Sequence, residues 1–444
     1  MTFSSSLMFA SSLIFPKTEK KSTARKSFFA SVVCIGLSII PLIIVVCVTD
    51  GLISGMTERL IGLSSGHLEA FISSGINPVS TSQKFTDYAS GLLEVEGVVS
   101  VFPEIKINAL AAGKSYRTGA EIRAVSTDIF EKNESFKNMF SAEEGNISDF
   151  QNSTDTKRAV IGKKIAQLLN VHVGDNFRII TTKSVNGKIT PKLTVFNVCA
   201  IVSSGYQELD SLWVFIPLDS VYSFASASNS SFTIMVNTND PFSSDLVKIQ
   251  QSVKSKCGKY ANVYRWDQVH VSEFENFSST KIMLIFIMIL IVLVASINIS
   301  SAIIMLSMER KKEIAIIKSI GGTTKGITLS FLIAGLASGA GGVLIGVPLG
   351  LILSIFANQI ISFFEKALNF FVRIMDLIKG IPLESIKEIK LMDSAYYLST
   401  IPITVPVDKI VLISIFTIIL SLVVSIIPSI KAGNEKPLET LRKI

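Results

Sequence analysis

The chain has 444 residues, 48% of them hydrophobic and only 17% charged, with a mean hydropathy of +0.50. Soluble globular domains carry about 25% charged residues, so this composition excludes a disordered chain and argues against an ordinary water-soluble enzyme in favour of a membrane protein with a sizeable water-soluble part. The net charge is +7, but residues 50–280 hold 21 Lys+Arg against 24 Asp+Glu, while the remainder holds 21 against 11. The basic excess lies beside the apolar segments, so the pattern reads as membrane anchoring and excludes a nucleic-acid partner. Four cysteines are too few for a disulfide framework. The three histidines, His67, His172 and His270, are too scattered to predict a metal centre.

In chain order, residues 1–27 form a cytoplasmic segment. An apolar stretch at 4–15 predicts a short amphipathic helix ended by Pro16, and a basic cluster follows it. About 20 apolar residues cross the hydrocarbon core of a bilayer. Four segments meet this need, at 28–49, 281–308, 327–357 and 410–430. The short flanks carrying Lys17–Lys26, Arg310–Lys325 and Lys431–Lys443 are rich in Lys and Arg, which places them and both termini in the cytoplasm. Residues 309–326 and 431–444 are then cytoplasmic, and residues 50–280 lie outside. The segment 358–409 also lies outside. Its apolar residues from Ile360 to Ile378 predict an interfacial helix with Glu365, Lys366, Arg373 and Asp376 toward water.

The 50–280 domain has mixed texture. Val98–Phe102 and Leu193–Val198 predict strands, Lys163–Leu169 a helix, and Asn186-Gly187 a hairpin turn. The polar run 141–157 predicts an exposed loop. Cys199 and Cys257 both fall here, and their spacing leaves open whether they pair. Neither a Gly-X-Ser-X-Gly elbow, a His-Glu-X-X-His pair nor a Cys-X-X-Cys pair occurs, which argues for binding or force transmission over catalysis. The expected fold class is a membrane protein of four transmembrane helices, with a large α+β extracytoplasmic domain inserted between helices 1 and 2.

Residues 309–320 read as an amphipathic helix. Glu309, Arg310, Lys312 and Glu313 supply charge, Ile314, Ile317 and Ile320 supply an apolar stripe, and Gly321-Gly322 supplies a stop. Docking on a cytoplasmic partner is the reading that uses all of them; a plain juxtamembrane anchor is the alternative. No Gly-X4-Gly-Lys-Ser/Thr loop occurs, so this chain binds no nucleotide by that route, and any ATP is used by a separate subunit. In the third span Gly335, Gly339, Gly342, Gly346 and Gly350 recur at steps of three or four, predicting a face for close helix packing. Asn298 in the second span predicts an interhelical hydrogen bond.

With one span, a large outer domain and three more spans, the chain resembles the MacB/FtsX superfamily of ABC transporter permeases. The loop Met308-Glu309-Arg310-Lys311-Lys312-Glu313-Ile314-Ala315-Ile316-Ile317-Lys318-Ser319-Ile320-Gly321-Gly322 carries much of that resemblance. The tail Lys436-Pro437-Leu438-Glu439-Thr440-Leu441-Arg442 adds to it. Within the superfamily it is most similar to Lol-type lipoprotein-releasing permeases, through Phe196–Ser211, which contains Gly205, Glu208 and Asp210, through Trp266, and through Tyr396-Tyr397-Leu398. Ala200 departs from that pattern, where a glycine is expected.

The resemblance implies a non-catalytic permease subunit of the bacterial inner membrane, its large domain in the periplasm. It also implies a cytoplasmic ABC ATPase, a second permease copy or a paralogue, membrane lipids, a lipoprotein substrate and a periplasmic lipoprotein chaperone as partners. The chain itself would hold no cofactor, and ATP would act through the ATPase. The mode of action implied is mechanotransmission. A MacB-type exporter of another substrate, or an FtsX-like signalling protein that controls a cell-wall hydrolase, is the alternative.

Overall fold

A computed structural model describes residues 3–14, 23–74, 76–114, 116–151, 157–185, 188–224, 229–378 and 402–435. Asn186-Gly187, Tyr396–Leu398 and Lys436–Arg442 lie outside the described residues, as do the side chains of Asn298 and Asp376. The chain divides into two compact units. One contains Leu52–Asn276. The other contains the described parts of Met1–Gly51, Phe277–Ile389 and Pro402–Ile444.

The second of these is helical. Its elements are α1 (Phe3–Ile14), most of α2 (Thr23–Arg59), the C-terminal part of a 39-residue helix beginning at Val271, a short helix at Lys311–Ser319, and three further helices at Thr324–Ile355, Ala357–Ile378 and Val407–Gly433. Among the described residues, four helices are long and apolar enough to cross a membrane. Uncharged helices satisfy every backbone group internally, which is the condition for standing in lipid.

The helix Thr324–Ile355 is the centre of this unit, and its glycines serve two neighbours. A Cβ on Gly335 or Gly339 would overlap Ser425 or Ser421 of Val407–Gly433. A Cβ on Gly342 would overlap Ile35 of α2. One on Gly346 would lie 2.8 Å from the Gly36 carbonyl oxygen, and one on Gly350 would lie 2.9 Å from Ile43 Cβ. The facing stripe of Val407–Gly433 is Thr417, Ser421, Ser425 and Ser429, all buried at four-residue steps. The first three hydroxyls fold back on carbonyls of their own helix, such as Thr417 Oγ1 to Ile413 O at 2.8 Å. They therefore stay small and satisfied in a dry seam. Ser31 and Ser338 add a hydroxyl pair at 2.7 Å between α2 and the glycine helix.

The N-terminal helix differs from expectation. Ser6, Phe9 and Ala10 are buried, and Ser330 Oγ of the glycine helix donates to Ser6 O at 2.9 Å. The exposed side carries Leu7 and Met8 and no charge. The helix mixes serines with apolar residues and carries no charge, so it packs one face on a neighbouring helix and presents no charged face. The predicted interfacial segment does form one continuous helix, Ala357–Ile378, with Phe363, Phe364, Phe371, Lys366 and Arg373 exposed.

The Leu52–Asn276 unit is a ten-stranded mixed sheet. Its strands are β1 (Leu68–Ile72), β2 (Val98–Ala112), β3 (Arg117–Val125), β4 (Ser141–Gly145), β5 (Arg158–Gly162), β6 (Asn176–Val185), β7 (Lys188–Ser203), β8 (Trp213–Pro217), β9 (Ser230–Thr238) and β10 (Ala261–Arg265). They run in the order β10-β1-β9-β2-β3-β8-β5-β7-β4, with β6 joining β2 and β7. The β3–β8 and β5–β7 pairs are parallel and the others antiparallel. The two-residue period of a strand sorts β2 into two faces. Ile105 and Ile107 face a core shared with Ile122, Val214 and Ile234, covered by helices Ser82–Ser90, Lys163–Leu169 and Leu246–Cys257. Phe102 faces a second core containing Phe215, Trp213, Met235, Leu63 and an aromatic cluster of Phe130, Phe136 and Phe140.

Two sequence readings change here. The run 141–157 is not simply a loop. Ser141–Gly145 pairs with β7, and a helical turn at Ser148–Gln151 buries Phe150, the apolar anchor of an otherwise polar stretch. Cys199 and Cys257 stay free, each buried in a different core.

Gly346→Val places two methyl groups where the Gly36 backbone sits. Overpacking of this kind costs about 1–3 kcal/mol. The purified chain should therefore melt several degrees lower than wild type, while Leu344→Val, at an exposed position, should not. Equal melting of the two variants would refute the close-packed seam.

Candidate functional site

Two constellations stand out, one in each unit. In the helical unit the chain breaks at Arg310, whose φ of −95° and ψ of 15° end the long helix at Glu309 and start a new one, α3 (Lys311–Ser319). The expected single helix from Glu309 is thus two. Its C-terminus closes as a Schellman turn: Gly322 N donates to Ile317 O at 2.8 Å, Gly321 N to Lys318 O at 3.1 Å, and Gly321 takes φ +96°.

The expected docking residues divide between two faces. Ile314 has no exposed surface and packs in the helical unit's own core, with Ile317 half-buried against it. Arg310 also turns inward and pairs with Glu313. Glu309, Lys312 and Glu313 point outward. The apolar residues beside them are Ile316, 54% exposed, and Ile320, 81% exposed. Of the stripe expected from sequence, only Ile320 is outward, and Ile316 was missed. A helix with two isoleucine stripes offers both to a partner on paper; only the fold decides which one its own chain consumes. Lys311 Nζ meets Glu435 Oε2 at 2.9 Å and Lys318 Nζ donates to Glu435 O at 2.8 Å, so α3 is held to the chain just beyond Val407–Gly433.

In the sheet unit the residues singled out from sequence gather at one place, the end of α2. Six π-helical residues, Leu60–Ser65, continue α2, and Gly66 at φ +68° turns the chain into β1. The last carbonyls of a helix lack intrahelical donors. Here two cations, Arg123 and Lys106, supply them, and a third, Arg59 on the helix itself, ties it to a neighbouring loop. Arg59 Nε donates to Ser204 O at 2.8 Å, Arg123 Nη1 to Leu63 O at 2.7 Å, and Lys106 Nζ to Ser64 O at 3.1 Å. Ser204 belongs to the 203–211 loop. Asp210 organises that loop by accepting from Ser203 Oγ at 2.6 Å and from Ser204 N and Oγ at 2.7 Å. Burial pushes the Asp210 carboxyl up, against the pull of those donors. Gly205 takes φ +72°, and exposed Glu208 pairs with Tyr206 OH.

Two carboxylates neutralise the cations. Glu104 takes both Arg123 Nε and Nη2, the latter at 2.9 Å, and Glu69 takes Lys106 at 2.7 Å. Glu69, Glu104 and Arg123 have no exposed surface. The guanidinium carbon lies 4.2 Å from the Trp213 ring centroid. Burial works against the Arg123 and Lys106 cations, but the adjacent carboxylates outweigh it and hold both above their ordinary values. The chain leaves the unit beside its entry, since β10 pairs with β1. There Trp266 donates to Pro241 O at 2.8 Å and stacks edge-on between Phe242 and Phe274. Glu69, Glu104, Lys106 and Arg123 were not anticipated. In sequence, Glu104-Ile105-Lys106-Ile107 has the alternation of a strand with one wet face, and only the covering layer shows that face to be dry.

Two family models match the chain: the MacB-like periplasmic core domain over residues 28–251 and the FtsX-like permease C-terminal region over residues 285–383. The chain belongs to the MacB/FtsX family of ABC transporter permeases. In that family ATP is used by a partner ATPase. Among curated relatives, the chain is 23% identical to the lipoprotein-releasing system transmembrane protein LolC of Neisseria meningitidis, over 95% of this chain and 96% of that one. It is 23% identical to LolE of Haemophilus influenzae, over 64% of each. Among solved structures, the periplasmic region of MacB from Actinobacillus actinomycetemcomitans is similar at 15% identity and a TM-score of 0.31. That likeness covers 49% of this chain and 95% of that one. The extracellular domain of the YknZ transporter is similar at 12% identity and a TM-score of 0.30, over 45% and 99%.

His67, between the π-turn and β1, accepts Thr238 N–H on Nδ1 at 3.0 Å. Burial holds its pKa below 6.5, against the pull of Asp240. Burial does the same to His270, against the pull of Glu273. A base with a depressed folded pKa contributes stability that is present above its unfolded pKa and lost as pH falls through the folded value. The permease should therefore lose stability as the pH falls below about 6.5, each histidine adding up to about 1.4 kcal/mol per pH unit. His67→Gln with His270→Gln should flatten that decline in a melting series; an unchanged decline would refute the assignment.

Proposed function

We propose that this permease subunit releases lipoproteins from the inner membrane by mechanotransmission, with its Leu52–Asn276 unit in the periplasm and both ends of the chain in the cytoplasm. The observation that carries the reading is the similarity to LolC over nearly the whole of both chains, helices and sheet unit alike. Lifting an acyl chain out of a bilayer costs about 0.8 kcal/mol per CH₂, so release needs an external source of free energy. A separate ATPase supplies it, a second permease copy or paralogue completes the assembly, and a periplasmic chaperone takes the released lipoprotein. The chain holds no cofactor of its own in this scheme.

The contact with the ATPase is α3. Glu309, Lys312 and Glu313 meet charges of the partner, and Ile316 and Ile320 supply the buried anchor. Gly321 ends the helix, and Arg310, Ile314 and Ile317 seat it on the permease. The glycine helix Thr324–Ile355 transmits the movement along seams where its own glycines let the neighbouring helices approach closely. The Gly205–Asp210 loop and Trp266 hold the points where α2 and the helix from Val271 join the sheet. The exposed phenylalanines of Ala357–Ile378 rest on the outer leaflet.

Docking is tested with Ile316→Asp combined with Ile320→Asp. Burial of one isoleucine is worth about 1.5–3 kcal/mol, so the double variant should lose ATPase co-purification at least tenfold while inserting normally. Ile314→Asp should instead destabilise the permease itself. Undiminished ATPase binding by the double variant would remove α3 from the interface. Orientation is tested with single cysteines in a cysteine-free background. Lys248→Cys should react with an impermeant thiol reagent in intact spheroplasts, and Lys312→Cys should react only after lysis; the reverse pattern would invert the topology. Depletion should strand lipoproteins in the inner membrane. Normal sorting with loss of export of another substrate, or with loss of cell-wall hydrolysis, would favour a MacB-type or FtsX-type role.

A further inference from the structure

The four-charge cluster at the end of α2 does more than its stability warrants. Replacing a buried ion pair by apolar side chains of similar volume is often neutral or stabilising, so a fold that needed only a filled core would gain nothing from Glu69, Glu104, Lys106 and Arg123. Their geometry is directional. Arg123 grips Glu104 through two parallel donors and spends a third on Leu63 O. Lys106 joins Glu69 to Ser64 O. The acceptors Leu63 and Ser64 belong to one π-turn, a geometry that recurs at functional sites. The charged residues belong to three strands: Glu69 to β1, Glu104 and Lys106 to β2, and Arg123 to β3. Lys106 is the register partner of Arg123, so the two cations stand side by side beneath the helix end.

We propose that this cluster is the joint through which the end of α2 drives the sheet. It converts a displacement of the π-turn into a displacement of β1, β2 and β3 together. The proposal rests on the mechanotransmission reading above. Lone apolar contacts slide, because dispersion is non-directional. A bidentate guanidinium bond resists shear along both of its axes. The joint also has an unused acceptor: Glu69 Oε2 is buried without a hydrogen-bond partner among the described residues. A carboxylate in that state can exchange contacts as the turn moves without exposing the network to water.

The test uses the full-length permease, co-purified with its ATPase and reconstituted with a triacylated model lipoprotein in phosphatidylethanolamine–phosphatidylglycerol vesicles. Arg123→Met combined with Glu104→Leu removes both charges and keeps the volume. The double variant should melt at or above the wild-type temperature and hydrolyse ATP at the wild-type rate. Its lipoprotein release should fall roughly tenfold, within the 5–150-fold range of coupling between sites. Amide exchange gives an independent readout. A non-hydrolysable ATP analogue should change exchange over both α3 and β1–β2 in wild type, and over α3 alone in the double variant. Release at the wild-type rate, or an unaltered response of β1–β2, would make the cluster merely structural and overturn the joint. If the double variant does not fold, Arg123→Lys decides, since it keeps the charge and loses the fork; undiminished release by that variant also overturns the joint. If wild type releases no lipoprotein, the functional reading fails, and the exchange response of β1–β2 still decides on the joint.

Discussion

A guanidinium with no exposed surface dictates much of the sheet unit. Arg123 on β3 must satisfy its donors without water, and it does so with one carboxylate, one helix-end carbonyl and an aromatic face. Each partner then has a fixed position. Glu104 must stand on the same face of β2, which sets the β2–β3 register. Leu63 must present its carbonyl, which fixes where the π-turn ends and so where β1 begins. Trp213 must lie beneath the ring of charge, which places β8 next to β3. Removing Glu104 alone leaves a buried charge uncompensated, far more costly than losing an apolar contact.

The helical unit is governed by a different constraint, close approach at positions where one helix has no side chain. In lipid there is no hydrophobic gain from bringing helices together, so association depends on dispersion, and dispersion needs contact. The glycine helix secures it on two sides, with Gly335 and Gly339 against the serine stripe of Val407–Gly433 and Gly342, Gly346 and Gly350 against α2. Such seams hold mainly by shape, with the Ser31–Ser338 hydroxyl pair as a directional bond across one of them. They tolerate sliding where the Arg123 cluster does not. The proposed mechanotransmission would draw on both kinds of contact.

How much of this was legible in sequence depends on whether a residue's role follows from its own chain segment. Apolar length alone located the four long helices, and glycine spacing marked the packing face. It did not show that the face divides between two neighbours, because a 32-residue helix meets different helices along its length. The 203–211 loop and Trp266 were marked by resemblance, and their hydrogen bonds account for why those residue types stand there. The buried charges were invisible, because alternating Glu, Ile, Lys and Ile is also the signature of an exposed strand face. The two isoleucine stripes of α3 were indistinguishable for a similar reason: local pattern records amphipathicity, while burial is settled by residues far away in sequence.

The placement of α3 links the two regimes. Ile314 and Ala315 are sealed in the permease core, and Lys311 and Lys318 both reach Glu435. Lys311 and Glu435 are each about a third to a half exposed, so their ion pair contributes little to stability. Its effect is angular. A nine-residue helix hinged at Arg310 and at the Gly321 turn has a junction at each end. Two lysines tethered to the chain beyond Val407–Gly433 remove the freedom those junctions would allow. Under the proposed docking, a partner that buries Ile316 and Ile320 would push on the whole serine-striped helix through α3, and the glycine seams would determine which neighbour moves next.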